Sequence, residues 1–94
     1  MIIVAGEIDV KPGQRDAFIE GSLDAVRAAR AHPDCQIFSV APDPIEADRV
    51  TILEQWSSMD ALDAFRADGP ENSLTSLITA ARVRQHELGQ TTLD

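Results

Sequence analysis

The residues of this chain that could support chemistry lie between Arg49 and Phe65, in the run RVTILEQWSSMDALDAF. Strand-forming residues there end in an acid, Glu54, and in the single tryptophan of the chain, Trp56. Side chains alternate between the two faces of a strand, so Ile52, Glu54 and Trp56 share one face. An aromatic ring with an N–H donor beside an acid can line a small-molecule pocket, or it can simply belong to the core.

The segment after the tryptophan predicts an amphipathic helix over the same face. Leu62 and Phe65 are three positions apart and therefore share one side of that helix. Either Ser57 or Ser58 can cap its first turn. We expect Leu62 and Phe65, together with Phe38 from an earlier strand, to be core residues that contact a ligand if a cavity exists.

Length, composition and charge indicate a small acidic domain. We take its 94 residues as one domain, spanning residues 1–94, which is too short to bury a large core alone. A net charge of −8 argues against binding nucleic acid or an anionic membrane surface, because both need clustered Lys and Arg. No apolar run approaches the roughly 20 residues that span a bilayer, and the first residues, MIIVAGEIDV, lack the basic region of a signal peptide. We therefore expect a cytoplasmic protein.

The cysteine and histidine content does not favour a metal site or a nucleophile. Cys35 is the single cysteine, which excludes an internal disulfide and predicts a small buried side chain. His32 lies three residues before it, but Pro33 intervenes and no third group is evident to orient the pair. One cysteine and two histidines are too few for zinc unless carboxylates complete the ligands. Dispersed glycines form no phosphate-binding loop, so we expect neither a metal nor an organic cofactor.

The elements that must position these residues alternate between strands and helices. In chain order, the patterns predict a strand at Ile2 to Val10, a helix at Arg15 to Ala31, a strand at Gln36 to Ala41, a strand at Arg49 to Trp56, a helix that stops at Asp68-Gly69-Pro70, and a short helix opening at Pro70. The buried side of the first helix is predicted from Ile19, Leu23 and Val26, and that of the last from Leu74, Leu77, Ile78 and Ala81. The segment from Arg82 to Leu88 fits either a final strand or a continuation of that last helix.

The order β-α-β-β-α-β predicts an α+β, ferredoxin-like fold, in which an antiparallel sheet of four strands carries both helices on one face. The other face of the sheet then needs cover. Ile3 and Ala5 on the first strand lie there, as do Thr51 and Leu53 on the third, and they make that face partly apolar. Two such faces meeting in a twofold homodimer would cover each other.

Three segments of the chain, taken in order, resemble the antibiotic biosynthesis monooxygenase-type domains of the dimeric α/β-barrel group. They are MIIVAGEIDVKPGQRDAF, HPDCQIFSV and DRVTILEQWSSMDALDAF. The Pro-Gly turn, the Pro-x-Cys and the E-x-W-x-S run are family-like in place and spacing, and the resemblance covers nearly the whole chain. It implies a homodimer whose sheets pack face to face, with a ligand cavity between each sheet and its own helices.

The resemblance also implies a reaction. Some members of the family oxidise phenols, quinols or polycyclic aromatics with O2, without a metal or a flavin. An electron-rich aromatic anion can reduce O2 directly, so the protein has to bind the substrate in a dry pocket and favour its anion. By resemblance, Trp56 stacks on the substrate or donates to it, and Glu54 is the titratable group on the pocket wall. The implied substrate contacts are Phe38, Ile52, Leu62 and Phe65.

Several positions depart from the family pattern. Phe38 stands where many members place a tyrosine, and Ile52 stands where oxygenating members can have a polar amide. Phe65 and Glu71 stand approximately where many members have histidines. The haem-degrading branch has an asparagine on the first strand and a helical histidine, and the matching positions here are Gly6 and Phe65-Arg66, which argues against haem degradation. The departures keep two alternatives to the monooxygenase open. One is a non-catalytic ligand-binding or structural homodimer of the same fold, and the other is a polyketide isomerase or cyclase.

Overall fold

A computed structural model describes residues 1–68 and 73–89 of the chain. Its elements are β1 (Ile2–Val10), α1 (Arg15–Arg30), β2 (Cys35–Pro42), β3 (Arg49–Trp56), α2 (Met59–Asp68), a 3-10 helix (Ser73–Leu77) and β4 (Ile78–Glu87). The strands form one antiparallel sheet in the order β2-β3-β1-β4. The predicted ferredoxin-like α+β fold is therefore confirmed.

The two central strands, β1 and β3, coincide residue for residue with the predicted ones. Their buried side chains follow the period of two that a strand imposes, and they are Ile2, Val4 and Val10 on β1, and Val50, Ile52 and Trp56 on β3. β2 is one residue longer at each end than predicted. It includes Pro42 because β2 is an edge strand, where a missing N–H donor is tolerated.

The buried side of α1 is displaced from the predicted one. Val26 is buried as predicted, but Leu23 is 37% exposed and its neighbour Ser22 is buried instead. The Ser22 hydroxyl is satisfied because its Oγ donates to the carbonyl oxygen of Ile19 at 2.7 Å. The prediction for Leu23 rested on its hydrophobicity alone. In the structure, the side of α1 that faces the sheet is the one that carries Phe18 and Val26.

Ser58 caps α2. The N–H of Ala61 donates to the Ser58 Oγ at 3.2 Å, and the N–H of Leu62 donates to the Ser58 carbonyl oxygen at 3.3 Å. Ser57 instead accepts a hydrogen bond from Gln36 Nε2 at 2.7 Å. Of the two serines that the sequence offers, the structure uses the second, and the helix that it starts buries Ala61 and Leu62 against the sheet.

The helix predicted from Leu74 to Ala81 is wrong in its second half. Leu74 and Leu77 lie in the 3-10 helix, whereas Ile78 already begins β4 and pairs with Val10. A helical spacing of apolar residues is present here, but pairing with the central strand β1 decides the conformation. The opening of the predicted helix at Pro70 lies outside the described residues.

The segment from Arg82 to Leu88, for which the sequence left two interpretations, is a strand as far as Glu87. It pairs with β1 down to the contact of Glu87 with Ile2. The helical alternative is therefore wrong. β4 forms the second edge of the sheet, opposite β2.

Both helices pack against the same face of the sheet, in two adjoining core clusters. The first cluster joins residues of all the elements except β4 and the 3-10 helix, namely Ile2, Val4, Val26, Ala29, Phe38, Trp56, Ala61 and Leu62. The second joins Val10, Phe18, Val50 and Ile52. The aromatic residues predicted for a site therefore lie in or against the first cluster.

The opposite face of the sheet is covered by none of the described helices. Its apolar end includes Leu53, which pairs with Ala5 and is 38% exposed, and Ile37, which is 39% exposed. The other end is an ion-pair network of two arginines and two acids, in which distances run from 2.8 to 3.5 Å: Glu7, Asp9, Arg49 and Arg82. Hydrogen bonds from Arg49 and then Arg82 hold the pKa of Asp9 below its usual range.

Gly6 lies where β1 and β4 come closest. A Cβ atom at this position would overlap the carbonyl oxygen of Arg82 and would lie 2.6 Å from the Cα of Val83. Because these atoms belong to backbone, the neighbouring strand has to move to admit any side chain.

We expect Gly6→Ala to lower the free energy of unfolding by about 1–3 kcal/mol, because it forces β4 away from β1. Urea denaturation measures this change. Gly89→Ala is the matched control, since a Cβ at Gly89 meets nothing within 4 Å. Equal stability of the two variants would contradict the close approach described for Gly6.

Candidate functional site

The candidate site lies on the helix-covered face of the sheet, where the four strands align polar and apolar side chains in one row. Val4 of β1 pairs with Glu54 of β3 on one side and with Gln85 of β4 on the other. Glu54 pairs in turn with Phe38 of β2. The row therefore places a carboxylate and an amide on either side of a buried valine.

The adjoining row of the same face is apolar. In strand order it contains Val40, Ile52, Gly6 and Val83. Ile52 is buried, whereas Val83 is 38% exposed. Because Gly6 has no side chain, this row forms a low apolar floor beside Glu54 and Gln85.

Trp56 is fully buried, and its N–H is already engaged. Its Nε1 donates to Glu54 Oε1 at 3.0 Å, as two side chains on one strand face can do. Phe65 of α2 packs on the indole with ring centroids 5.0 Å apart, and Phe38 meets Phe65 edge-on at 5.8 Å. Leu62, also fully buried, closes the cluster. With none of its surface accessible, Trp56 borders no open cavity of the described residues, and a ligand reaches Glu54 and Phe65 before the indole.

Two residues near the start of β2 complete the surroundings of Trp56. His32 meets the indole edge-on, with ring centroids 5.4 Å apart, and its Nδ1 accepts the backbone N–H of Asp34 at 3.1 Å. Cys35 pairs with Trp56 across the strands. Burial, and then the negative charge of Glu54, raise the pKa of the Cys35 thiol. A thiol of raised pKa stays protonated at neutral pH, so Cys35 is not an activated nucleophile.

Glu54 is the titratable group of the site. Burial raises the pKa of its carboxyl, and this effect exceeds the lowering by the Trp56 hydrogen bond and by the positive charge of Arg66. Oε1 accepts the indole N–H, whereas Oε2 makes no hydrogen bond with any described residue. A half-buried carboxylate with a raised pKa and one free oxygen is suited to accept a proton from a bound molecule.

Three further side chains lie at the site, and two of them, Gln85 and Met59, were not singled out from the sequence. Arg66 Nη1 donates to Gln85 Oε1 at 3.3 Å, and Gln85 Nε2 lies 3.1 Å from Met59 Sδ. They connect α2 to β4 beside Glu54. The sequence could not place Gln85, because its segment fitted both a strand and a helix. Arg66 carried a usable signal, since it follows Phe65 on the predicted helix and is a candidate cationic partner for Glu54.

A surface cavity of about 290 Å³ lies at the β2 edge of the sheet. Its lining residues are Arg30, Cys35, Gln36, Ile37 and Phe38. The Arg30 Nε donates to the Phe38 carbonyl oxygen at 2.9 Å, which holds the guanidinium against this edge. Of the predicted site residues, Phe38 is the one that lines it, and Glu54 does not.

Within residues 1–68 and 73–89, no group of three or more His, Cys, Asp and Glu is arranged to hold a metal ion. None of the helices in these ranges is long and apolar enough to cross a membrane.

Comparison with known proteins gives one family and several similar structures. A model of the antibiotic biosynthesis monooxygenase family matches residues 1–69. An uncharacterised protein of Synechocystis is 36% identical over 62 residues, a match that covers 66% of this chain. The matched part is 42% of that protein, so the chain spans less than half the length of this curated relative.

The solved structures that resemble the chain share its fold. A candidate antibiotic biosynthesis monooxygenase of Deinococcus radiodurans has a TM-score of 0.82 at 18% identity, covering 100% of this chain and 98% of the other. A second candidate of this type, from Chloroflexus aurantiacus, has a TM-score of 0.72 at 25% identity, covering 99% and 98%. The Deinococcus likeness, at so low an identity, shows the fold alone.

We expect the stability of the protein to depend on the protonation of Glu54. Folding raises this pKa, so the folded protein holds the proton more tightly than the unfolded chain. The stabilisation is therefore complete at acid pH and is lost as the pH rises through the folded pKa. Glu54→Gln keeps an oxygen for the Trp56 N–H but removes the charge, so its stability relative to the wild type should increase as the pH rises from about 4 through the folded pKa.

Urea unfolding at a series of pH values measures this difference. Glu20→Gln, at an exposed position of α1, is the control and should show no comparable trend. A difference between Glu54→Gln and the wild type that stays constant with pH would show that burial does not disfavour the charged Glu54.

Proposed function

We propose, from the fact that this chain belongs to the antibiotic biosynthesis monooxygenase family, that it oxidises an aromatic, phenolic or quinol-like small molecule with O2 and without a cofactor. The observation that carries the proposal is the half-buried Glu54 carboxylate, in which one oxygen accepts a hydrogen bond from the Trp56 indole and the other makes none with the described residues. Such a group can remove a phenolic proton and so prepare the substrate for direct reaction with O2.

The reaction balances without an external reductant. Glu54 accepts the hydroxyl proton, and the aromatic anion transfers electrons to O2. One oxygen atom enters the ring, and the other leaves as water with two hydrogens of the substrate. All the electrons that reduce O2 come from the substrate, so a quinol becomes a hydroxyquinone.

The apolar surroundings of Glu54 support the electron transfer. The floor formed by Ile52, Gly6 and Val83, with Phe65 beside it, offers a flat aromatic ring a surface without competing polar groups. Excluding water from an anion strengthens its interaction with the fixed charges of the protein and protects reactive intermediates. Leu62 and Trp56 support this surface from within the core.

A polyketide isomerase or cyclase remains the second candidate enzyme, because the same carboxylate can move a proton without O2. A non-catalytic ligand-binding or structural dimer is favoured by another observation, the filling of the space over Trp56 by Phe65 and Leu62. O2 consumption separates the monooxygenase from both.

We expect the protein to consume O2 with at least one member of a panel of hydroquinones, naphthols and anthrones. Glu54→Gln should lower kcat/KM about 10²–10⁴-fold, as is usual when a general base is removed. Trp56→Phe should keep the fold and weaken aromatic binding, because Glu54 loses the donor that orients it. An oxygen electrode and fluorescence titration provide the measurements.

Glu20→Gln serves again as the matched control and should retain full turnover. Absence of O2 consumption across the panel, with binding of aromatics intact, would favour the binding protein. Proton exchange at a ketone substrate without O2 uptake would favour the isomerase.

We also propose that the protein is a homodimer through the uncovered face of the sheet. Its apolar end, with Ala5, Leu53 and Ile37, is partly exposed in the single chain. An antiparallel sheet that is apolar on both faces gains by burying the second face against another copy.

Light scattering at micromolar concentration should therefore give twice the chain mass of 10.2 kDa. Leu53→Glu should shift the protein towards the monomer, because it places a charge in the interface. Leu23→Glu is the matched control, since Leu23 is 37% exposed on α1, away from this face. A soluble wild-type monomer would contradict the proposal.

A further inference from the structure

Arg66 of α2 is the cation whose positive charge acts on the Glu54 carboxyl. Arg66 follows Phe65, which packs on Trp56, and its guanidinium donates to Gln85 at 3.3 Å. Its positive charge reaches Glu54 and opposes the burial effect on that carboxyl. Yet Arg66 and Glu54 are not within ion-pairing distance, and the ion pairs of the described residues join other partners.

The strand register sets the size of the gap between the two charges. Glu54 and Gln85 both pair with Val4, so they are two strand spacings apart, or about 10 Å between backbones. Arg66 is anchored on the Gln85 side of this span, and the Glu54 carboxylate projects from the other side. A ring hydroxyl placed between them would face the carboxylate on one side and the guanidinium on the other.

We propose that Arg66 binds the oxygen anion that remains when Glu54 takes a ring hydroxyl proton, so that the site selects aromatics whose hydroxyl is unusually acidic, such as hydroxyquinones and nitrophenols. The inference rests on the proposed function for the location of the site, but not on turnover. In the step itself, the O–H bond breaks, the proton binds Glu54 Oε2, and the electron pair stays on the ring oxygen facing Arg66.

The charge count favours this arrangement. Before transfer, the site holds one negative carboxylate and one positive guanidinium. After transfer, it holds a neutral carboxyl, an aromatic anion and the same guanidinium, so no additional charge is buried. Guanidinium bonds to an oxygen anion are charge-assisted and stronger than those to the neutral amide oxygen of Gln85, which Arg66 gives up readily.

The difference in pKa between the ring hydroxyl and Glu54 decides which substrates Glu54 and Arg66 together can ionise. A phenol like that of tyrosine has a pKa near 10 and a free glutamic acid near 4.3, so transfer between them is unfavourable by a factor of roughly 10⁶. A guanidinium about 4 Å from the anion offsets roughly 10³ of this at an effective dielectric constant near 20. An ordinary phenol is therefore ionised in only about one bound molecule in a thousand, whereas ring hydroxyls with a pKa below about 7 are mostly ionised.

The probe for the test is para-nitrophenol, whose anion absorbs visible light and which ionises near neutral pH. We expect the wild type to bind it so that the bound probe ionises at lower pH than the free probe. Arg66→Gln should weaken binding of the anion at least about tenfold and abolish the shift, and Arg66→Lys should restore part of it. Arg66 is exposed, so these variants should fold, which thermal melting verifies.

Two further variants make the assignment specific. Arg27→Gln is the control, because Arg27 is an exposed arginine of α1 whose partner is Asp24, and it should behave as the wild type. Glu54→Gln should bind the anion more tightly than the wild type at alkaline pH, since it removes a negative charge while Arg66 stays. The other titratable groups around Glu54 are Cys35 and, on the far side of Trp56, His32. Both are present in the wild type and in all the variants, so they cannot cause a difference between them.

Equal anion binding by Arg66→Gln and the wild type would overturn the proposal, as would preferential binding of the neutral probe by the wild type. The assay uses no O2, so its outcome is independent of catalysis. An anion preference that depends on Arg66, without O2 consumption on any substrate, would support the inference and reject the monooxygenase. O2 consumption that is unaffected by Arg66→Gln would support the monooxygenase and reject the inference about Arg66.

Discussion

The hydrogen bond from the Trp56 indole to Glu54 connects the core of this protein to its candidate site. A fully buried indole needs an acceptor for its N–H, because an unpaired donor in the interior costs about 1–3 kcal/mol. Glu54, two residues earlier on the same strand face, is that acceptor at 3.0 Å. The bond fixes one carboxylate oxygen, so the hydrogen-bonding requirement of the buried indole determines the orientation of the titratable group.

The central strand β1 determines what surrounds this carboxylate. Val4 and Gly6 pair with β3 on one side and with β4 on the other, which brings Gln85 and Val83 to the same face as Glu54. Gly6 is required there because backbone of β4 occupies the space of a side chain. A site made in this way depends on register more than on any contiguous motif, since its polar residues are far apart in the sequence.

The parts of the structure that the sequence predicts are those with a local cause. The alternation of apolar residues predicted both ends of β1 and of β3 correctly, and the spacing of Leu62 and Phe65 predicted the buried side of α2. Each of these patterns follows from the repeat of a single strand or helix. β4 was ambiguous because its conformation depends on pairing with β1. The contact of His32 with Trp56 and that of Arg66 with Gln85 were out of reach for the same reason, since both arise when distant segments pack.

Docking of α2 against the sheet forms the candidate site. A ten-residue helix is marginal by itself, so α2 owes its position to burial of Ala61 and Leu62 and to the packing of Phe65 on Trp56. The same helix carries Phe65 and Arg66 over Glu54. A molecule bound between this helix and the sheet stabilises both by mass action, because it binds the docked arrangement and not the undocked one.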